Sequence, residues 1–262
     1  MKYFLAKLTL TILFSLISIT SSAHELWLEP EAFITQPNSK LNAHIKVGQK
    51  FNGDQFPYLR SETKNLKLFL DRKLIALTPR EGDYPAIQSI LKQAGLHVLS
   101  YESTPEKVDY KNFDTFKTFL QEEGIWNKWS QKNPDFINTD IKENYTRYAK
   151  SLIQVGAKPG EDFNTGLLFE LIALNTPYTN TDKIEILLLY NGKPHPNSQI
   201  TIFHKNKDQT SISKTKTNIH GKATISFEKT GRYLLSSVYL EKKKSDKADW
   251  QSLWASLTLQ KQ

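Results

Sequence analysis

Short segments in which every second residue is apolar constrain the fold of this chain more than any other feature. In residues 41–47 the apolar side chains stand at alternating positions: Leu41, Ala43, Ile45 and Val47. A period of two is expected of a β-strand with one buried face. Similar segments follow at 66–70, 74–77, 96–101, 167–173, 184–190, 199–204, 223–227 and 233–239. Turn residues such as Asn, Asp, Gly and Pro separate them, so the sequence predicts a mainly β protein.

We predict two immunoglobulin-like antiparallel β-sandwich modules with a small α-helical insert. The N-terminal sandwich spans residues 24–110, and the insert spans 111–156 and packs on that sandwich. The C-terminal immunoglobulin-like sandwich spans 157–262. The first module follows from short strands separated by turns. The second follows from roughly seven alternating strands at the spacing of a Greek key.

The insert is predicted from a change in the spacing of apolar residues. Residues 112–123 form the first predicted helix, in which apolar side chains lie three and four apart: Phe113, Phe116 and Leu120. Gly124 follows as a signal that ends the helix. Trp126 and Trp129 are spaced to share one face, and we predict that they pack into the core rather than form a ligand platform.

A second helix is predicted over residues 139–152. Its apolar and aromatic residues again lie three and four apart: Ile141, Tyr145, Tyr148, Ala149 and Leu152. Thr139 and Asp140 would supply the N-cap and an acid in the first turn. Glu143 and Arg147 would form a favourable ion pair one helical turn apart.

The N-terminus has the pattern of an export signal. Lys2 and Lys7 give a positive start, residues 8–19 form an apolar run, and residues 21–23 are small. We predict a signal peptide over 1–23, cleavage near Ala23, and a periplasmic or secreted protein. The apolar run is shorter than the ~20 residues that cross a bilayer, so no membrane span is predicted after cleavage. The chain contains no cysteine, which excludes disulfides and thiolate metal sites.

The charge balance gives no sign of a nucleic-acid partner. The formal charge of +8 falls to +6 on cleavage, because the signal contains two of the 35 basic residues and none of the 27 acidic ones. The densest basic cluster, 242–244 with Lys247, is interrupted by Glu241 and Asp246. We therefore predict a solvated loop there rather than a binding patch.

A metal site at the new N-terminus is the main functional hypothesis. Cleavage would leave His24 first, with an α-amine and an imidazole on one residue. Two nitrogens of this kind suit copper or nickel, and an α-amine with a pKa near 8 releases its proton to a metal at neutral pH. A third ligand must come from the fold, and the candidates are His44, His97 and Glu25. We interpret three further histidines as surface residues: His195, His204 and His220.

Catalytic motifs are missing. The sequence has no Gly-rich phosphate loop, no His-Glu-x-x-His and no Gly-x-Ser-x-Gly. Its adjacent acid pairs, at 122–123 and 161–162, lie beside turn glycines, which is typical of solvated loops rather than of a glycosidase. We therefore predict that the protein is not an enzyme.

Four segments resemble a bacterial exported family of unknown function that is grouped with the extracytoplasmic substrate-specific component of nickel and cobalt uptake systems. They are the His-Glu-Leu-Trp-Leu-Glu-Pro start at 24–30, 145–150, 190–194 and 250–259. The resemblance implies immunoglobulin-like modules, handling of a divalent metal and no catalytic residues. It also implies an uptake component of the inner or outer membrane as partner. Tyr239 stands where the family leads us to expect a histidine, which puts a ligand there in doubt.

Three functions remain open at this stage. The first is a periplasmic protein that binds or delivers nickel, cobalt or copper through His24. The second is an envelope interaction module that binds a protein or a glycan without metal. The third is a copper oxidase of polysaccharides with an N-terminal histidine, which would need a second histidine across the site. A β-sandwich can host all three roles, so the fold alone does not choose among them.

Overall fold

The structure is a computed structural model. It describes residues 24–136, 140–179, 181–245 and 248–262. The predicted signal peptide, 1–23, lies outside the described residues. So do Thr139, the predicted helix cap, and Asp246 and Lys247 of the lysine cluster.

Within these residues the chain forms eighteen strands and two helices, which confirms the prediction of a mainly β protein. The strands before the helices are β1 (Glu25–Pro30), β2 (Ile34–Thr35), β3 (Ser39–Gln49), β4 (Asn52–Phe56), β5 (Thr63–Leu70), β6 (Lys73–Ile75), β7 (Ile87–Leu91), β8 (Gly95–Ser103) and β9 (Glu106–Tyr110). The helices are α1 (Phe113–Glu122) and α2 (Trp126–Lys132). The strands after them are β10 (Ile141–Val155), β11 (Phe169–Ala173), β12 (Lys183–Tyr190), β13 (Lys193–Pro194), β14 (Gln199–Asn206), β15 (Gln209–Lys216), β16 (Lys222–Ser226), β17 (Gly231–Ser245) and β18 (Ala248–Lys261). In this described part, neither helix has the length and hydropathy needed to cross a bilayer.

The described strands form three sheets. The central sheet has the order β15-β14-β17-β18-β10-β8-β5-β6, with β2 and β9 also paired to β10. Strands β10 and β18 run parallel, and the other ladders along this path are antiparallel. The front sheet is β1-β3-β4 with β7 paired to β3. The back sheet is β11-β12-β13 with β16 paired to β12.

The middle strands of the central sheet, β10 and β18, are buried on both faces. On β18, Leu253 and Leu257 enter a core that includes Phe169 of the back sheet. Trp250 and Trp254 point to the opposite face and belong to the aromatic cluster under α1 and α2. Alternate residues of one strand thus enter different cores, as the two-residue period of a strand requires.

The front sheet covers the rest of the second face. Leu26 and Leu28 of β1 pack in one core with Ala149 and Ile153 of β10. The hydroxyl of Thr258 on β18 donates to the carbonyl oxygen of Leu28, at 2.6 Å. This bond fixes β1 against the middle of the central sheet.

The predicted second helix, 139–152, is wrong, because β10 occupies this segment. Both faces of β10 are buried: Tyr145 and Ala149 lie on the face toward the helices and the front sheet, and Tyr148 and Leu152 on the face toward the back sheet. Apolar residues drawn from two faces of one strand reproduce spacings of three and four. Aromatic residues also favour strands when they are packed on both sides.

The predicted ion pair of that helix is wrong for the same reason. Glu143 accepts hydrogen bonds from the hydroxyls of Tyr110 and Ser252. Arg147 instead pairs with Glu106, with 2.8 Å between Nη1 and Oε1. Four residues span about 13 Å along a strand, too far for a direct contact.

The first helix is confirmed. The side chain of Asn112 caps α1 by accepting from the backbone N–H of Thr115 at 2.9 Å. Gly124 follows α1 with a φ of +70°, which a glycine adopts without strain. Trp129 is 5% exposed, and its ring lies 5.8 Å from that of Trp126. The prediction that this pair packs into the core is thus confirmed for Trp129.

Two details differ from the sequence interpretation. The helical part of the predicted insert 111–156 is limited to α1 and α2. Lys242 and Lys243 continue β17 rather than form a loop, although Lys242 is exposed as predicted.

The ladder between 143–151 and 250–258 joins segments on both sides of the predicted boundary at 157. The division into modules, and their immunoglobulin-like topology, stay predictions.

Candidate functional site

The predicted metal ligand His24 stands immediately before β1. Glu25, the first residue of that strand, is opposite Gly48 of β3. The side chain of His24 is half-buried, and its Nδ1 atom is buried without a hydrogen-bond partner in the part of the chain that the structure describes. A buried ring nitrogen of this kind is uncommon, because buried polar atoms normally find a partner.

Acidic side chains at the end of α1, those of Glu122 and of the C-cap residue Glu123, interact with Glu25 at the start of β1. Burial raises the pKa of Glu25 to about 6, and the nearby carboxylate of Glu122 adds to the effect. Burial also raises the pKa of Glu123 to about 8, and the repulsion from Glu25 contributes. Lys214 opposes this rise and donates to the Glu122 carbonyl oxygen at 2.7 Å. The carboxyl groups around Glu25 therefore compete for protons, and a cation would relieve their repulsion.

His44 lies on the other side of the front sheet from the central core. It is opposite Glu29 in the ladder between β1 and β3. Its Nε2 lies 3.3 Å from Oε1 of Glu31, and its ring lies 6.0 Å from that of Tyr84. Because Glu29 is five residues from His24, the strand rise places His44 roughly 16 Å from His24.

His97 lies in the middle of the central sheet. It is fully buried on β8, opposite Ile153 of β10, and burial lowers the pKa of its imidazole. The Thr258 hydroxyl contacts the carbonyl oxygens of both Leu28 and Lys150, which places Leu28 of β1 beside Lys150 of β10. The start of β1 therefore lies several residues away from Ile153, the residue opposite His97, along β10. The strand rise then places His97 roughly 20 Å from His24.

The fold does not bring the three predicted ligands together. His24, His44 and His97 occupy separate places, and the described ranges contain no group of three His, Cys, Asp or Glu side chains arranged to hold a metal ion. Glu25 is the predicted candidate that lies beside His24. A copper oxidase that needs a second histidine across the site has no such partner in either His44 or His97.

Of the three histidines that were interpreted as surface residues, one is exposed and two are half-buried. His220 is exposed, as predicted. His204 is half-buried, and its Nε2 lies 2.9 Å from the carbonyl oxygen of Thr230. His195 is half-buried against the ring of Tyr239 at 4.7 Å, and burial lowers the pKa of its imidazole. Tyr239, which replaces the expected histidine, thus packs on an imidazole that the sequence did not place near it.

A cavity of about 180 Å³ lies between the front and central sheets. Leu26 and Val47 form part of its apolar wall, and Tyr101, Glu106 and Arg147 form part of its polar wall. Arg147 is 7% exposed, and its Nε atom makes no hydrogen bond. A cavity of about 150 Å³ can hold benzene, so this one is large enough for a small molecule with a hydrogen-bond acceptor. The sequence missed it because Arg147 was assigned to a helix.

The described residues form a mainly β protein whose first strand begins at Glu25, directly after His24. The chain belongs to the family described as domain of unknown function (DUF4198), whose model matches residues 21–241. No curated protein matches the sequence.

Two solved structures show weak similarity. A DUF4785 family protein from Legionella pneumophila is 11% identical, with 80% of this chain and 50% of that chain covered and a TM-score of 0.23. The adhesin InvE of Yersinia pseudotuberculosis is 10% identical, with 90% and 58% covered and a TM-score of 0.20. This chain therefore spans about half the length of the Legionella protein it matches.

Proposed function

We propose that this is an exported, periplasmic protein that binds a divalent transition-metal ion, nickel, cobalt or copper, through its mature N-terminus. Removal of residues 1–23 would free the α-amine of His24 beside its imidazole. Glu25 would supply a carboxylate, and Glu123 would add a second negative charge once the cation displaces its proton. In this role the protein delivers the ion to an uptake component of the envelope.

The observation that carries the proposal is the set of charges at the start of β1. The Nδ1 atom of His24 has no hydrogen-bond partner among the described residues. Burial, together with repulsion from neighbouring carboxylates, raises the pKa values of Glu25 and Glu123. A divalent cation would displace protons from these groups, since metal ligands bind in their deprotonated forms. Nitrogen and oxygen ligands together suit nickel and copper. Binding should weaken as the pH falls through about 6, where Glu25 becomes protonated.

The test is a calorimetric titration of nickel and copper into protein that begins at His24, with its N-terminus verified by mass. A matched protein carries one extra glycine before His24, which moves the amine away from the imidazole. We expect one-to-one binding that is lost or weakened at least about tenfold in the extended protein, since one lost ligand is worth more than ~1.4 kcal/mol. His44→Ala is the control variant and should bind as the parent does.

Equal affinity in the parent and extended proteins, or no binding in either, would remove the N-terminal site. An intermediate variant, Glu25→Gln, separates the carboxylate from the nitrogens. It should bind more weakly than the parent and more tightly than the extended protein. Its affinity should also depend less on pH between about 5 and 7, because the group that titrates near 6 is gone.

One observation favours the second function, an envelope interaction module with immunoglobulin-like folds. Tyr84 is 59% exposed, and its hydroxyl donates to the Gln55 side chain on β4 at 2.6 Å. Phe56, on the same strand, is 39% exposed. Among the described strands β4 pairs only with β3, and an unpaired strand edge beside exposed aromatic side chains suits an extended partner. Failure of the metal titration would make this role the better proposal.

A further inference from the structure

Three charged side chains meet inside the core between the central and back sheets. The Nζ atom of Lys150, on β10, lies 2.6 Å from Oδ1 of Asp162 and 3.0 Å from Oε1 of Glu170. The side chain of Lys150 is 1% exposed, and those of both acids are 0% exposed. Glu170 belongs to β11, and Asp162 lies in the segment between the two strands.

The surroundings of this group are apolar. Tyr148 and Leu152, which flank Lys150 on the same face of β10, belong to the same core as Phe163 and Phe169. Removing an ion from water costs several kcal/mol, even when it is paired. One lysine cannot balance two carboxylates, so charge separation inside this core is unfavourable. Burial accordingly raises the pKa of Asp162, which favours an uncharged carboxyl group.

Backbone groups hold the carboxyl group of Asp162 in place. Its Oδ1 accepts from the N–H of Phe163 at 2.8 Å, and its Oδ2 accepts from the N–H of Ala173 at 2.9 Å. The Lys150 amine also donates to the Phe163 carbonyl oxygen at 3.0 Å. Fixed N–H donors on a carboxyl group are the arrangement that stabilises an oxyanion when a nucleophile attacks its carbon.

The carboxyl group of Glu170 is suited to move protons. Its Oε1 accepts from the N–H and the hydroxyl of Thr165, at 2.9 and 2.8 Å, as well as from Lys150. Its Oε2 is buried without a hydrogen-bond partner. A carboxylate with one oxygen on the amine and one oxygen unoccupied can take a proton from nitrogen and return it to a leaving group.

We propose that Lys150 and Asp162 become joined by an intramolecular isopeptide bond, with Glu170 as the proton-transfer residue. Glu170 takes a proton from the ammonium group, and the neutral amine attacks Cγ of the protonated Asp162 carboxyl group. The new C–N bond forms, the C–OH bond breaks, and the hydroxyl leaves as water with the proton that Glu170 held. The attacking nitrogen then passes its second proton to Glu170. The one proton that the two acids shared at the start, on Asp162, is thus matched by one on Glu170 at the end. No oxidant or cofactor is required.

Proximity lowers the barrier that keeps free side chains from reacting with each other. Two reacting groups held in contact behave as if at very high concentration, with effective molarities of about 10⁵ M or more. The water that leaves enters solvent, and the buried ion pair is replaced by a neutral amide. The product would tie β10 of the central sheet to the segment that leads into the back sheet. This is a covalent link in a chain that has no cysteine for a disulfide.

The test is the intact mass of the purified full chain under denaturing conditions, with the N-terminus identified by sequencing. We expect a mass lower than the sequence mass by one water molecule. Proteolysis should release a branched peptide in which Lys150 is joined to Asp162. A chain at its full sequence mass would overturn the proposal, and so would a loss of water located anywhere else. This measurement needs no variant, so it does not depend on whether a variant folds.

Three variants sharpen the assignment. Lys150→Arg should have its full sequence mass, because a guanidinium does not form the amide. Glu170→Gln should keep at least about nine-tenths of its chains at full mass in a fold that circular dichroism shows to be unchanged, because a factor of 10²–10⁴ in rate is expected from proton transfer. Asp162→Asn should lose ammonia instead of water, which requires a bond to this side chain. The full mass of Lys150→Arg excludes a succinimide at residue 162, which would lose ammonia in the same way. Loss of water in Asp162→Asn would assign the bond to another residue.

Discussion

Buried acids determine much of the chemistry at the scale of single residues. Glu143 lies under the helices, and Asp162 and Glu170 lie on the other side of β10. Asp162 and Glu170 share a lysine, whereas the partners of Glu143 among the described residues are the hydroxyls of Tyr110 and Ser252. Burial raises the pKa of Glu143 from 4.5 to about 7, because two neutral hydroxyl donors do not replace the water that it loses.

The first stability prediction follows from Glu143. Its pKa is raised in the folded state, so its stabilising contribution is complete below about pH 4.5 and is lost as the pH rises through about 7. Glu143→Gln removes this titration. Between about pH 5 and about pH 8 the unfolding free energy of the parent should fall by about 2 kcal/mol more than that of the variant. Urea denaturation at both pH values measures the difference.

Other acids with raised pKa values do not affect this comparison. Glu25 and Glu123 also have raised pKa values and act in the same direction, but both are present in the parent and in the variant. A Glu143→Gln protein that is destabilised equally at both pH values would show that the native carboxyl group remains ionised throughout.

At the scale of elements, β10 and β1 show where the sequence is informative and where it is not. The helix α1 could be predicted because its spacing, its cap at Asn112 and its stop at Gly124 are local signals. The strand β10 could not be predicted, because its apolar residues pack into cores on both faces of the sheet. That burial depends on the sheets and helices that cover the strand and leaves no local signal in the sequence. The interaction of Glu123 with Glu25 was equally hidden, because Glu123 follows α1, about a hundred residues further along the chain.

The attachment of β1 to the central sheet gives the second stability prediction. Thr258 is fully buried and donates to the Leu28 carbonyl oxygen at 2.6 Å. Thr258→Val keeps the shape of the side chain and leaves that carbonyl oxygen without this donor. We expect a loss of about 1 to 2 kcal/mol of unfolding free energy. Thr258→Ser is the matched control, because it keeps the hydroxyl and removes only a methyl group.

Chemical denaturation compares the two variants directly. The valine variant should be the less stable, or its amide hydrogens at 25–29 should exchange faster than those of the serine variant. If the serine variant is the less stable and the exchange of β1 is the same in both, packing of the methyl group holds this strand rather than the hydrogen bond.

At the scale of the whole molecule, the central sheet is the element that both halves share. Its order places β5, β6, β8 and β10, from before residue 157, beside β14, β15, β17 and β18, from after it. The alternation in the sequence predicted the strands but not this order, because period-two patterns state which face is buried and not which strand is adjacent. The parallel ladder of β10 with β18 joins segments about a hundred residues apart.

This shared sheet leads to a prediction about the halves of the molecule. A fragment of residues 24–156 would expose the edge of β10 that pairs with β18, together with Tyr148 and Leu152, which need the back sheet to cover them. A fragment of 157–262 would likewise expose β18. Each fragment alone should lack a cooperative thermal transition, whereas residues 24–262 should unfold in one transition followed equally by tryptophan fluorescence and circular dichroism. Mixing the fragments should restore part of the native signal, because the ladder between β10 and β18 is the contact that each half lacks. Two fragments that each unfold cooperatively on their own would instead support the division at residue 157 that the sequence predicted.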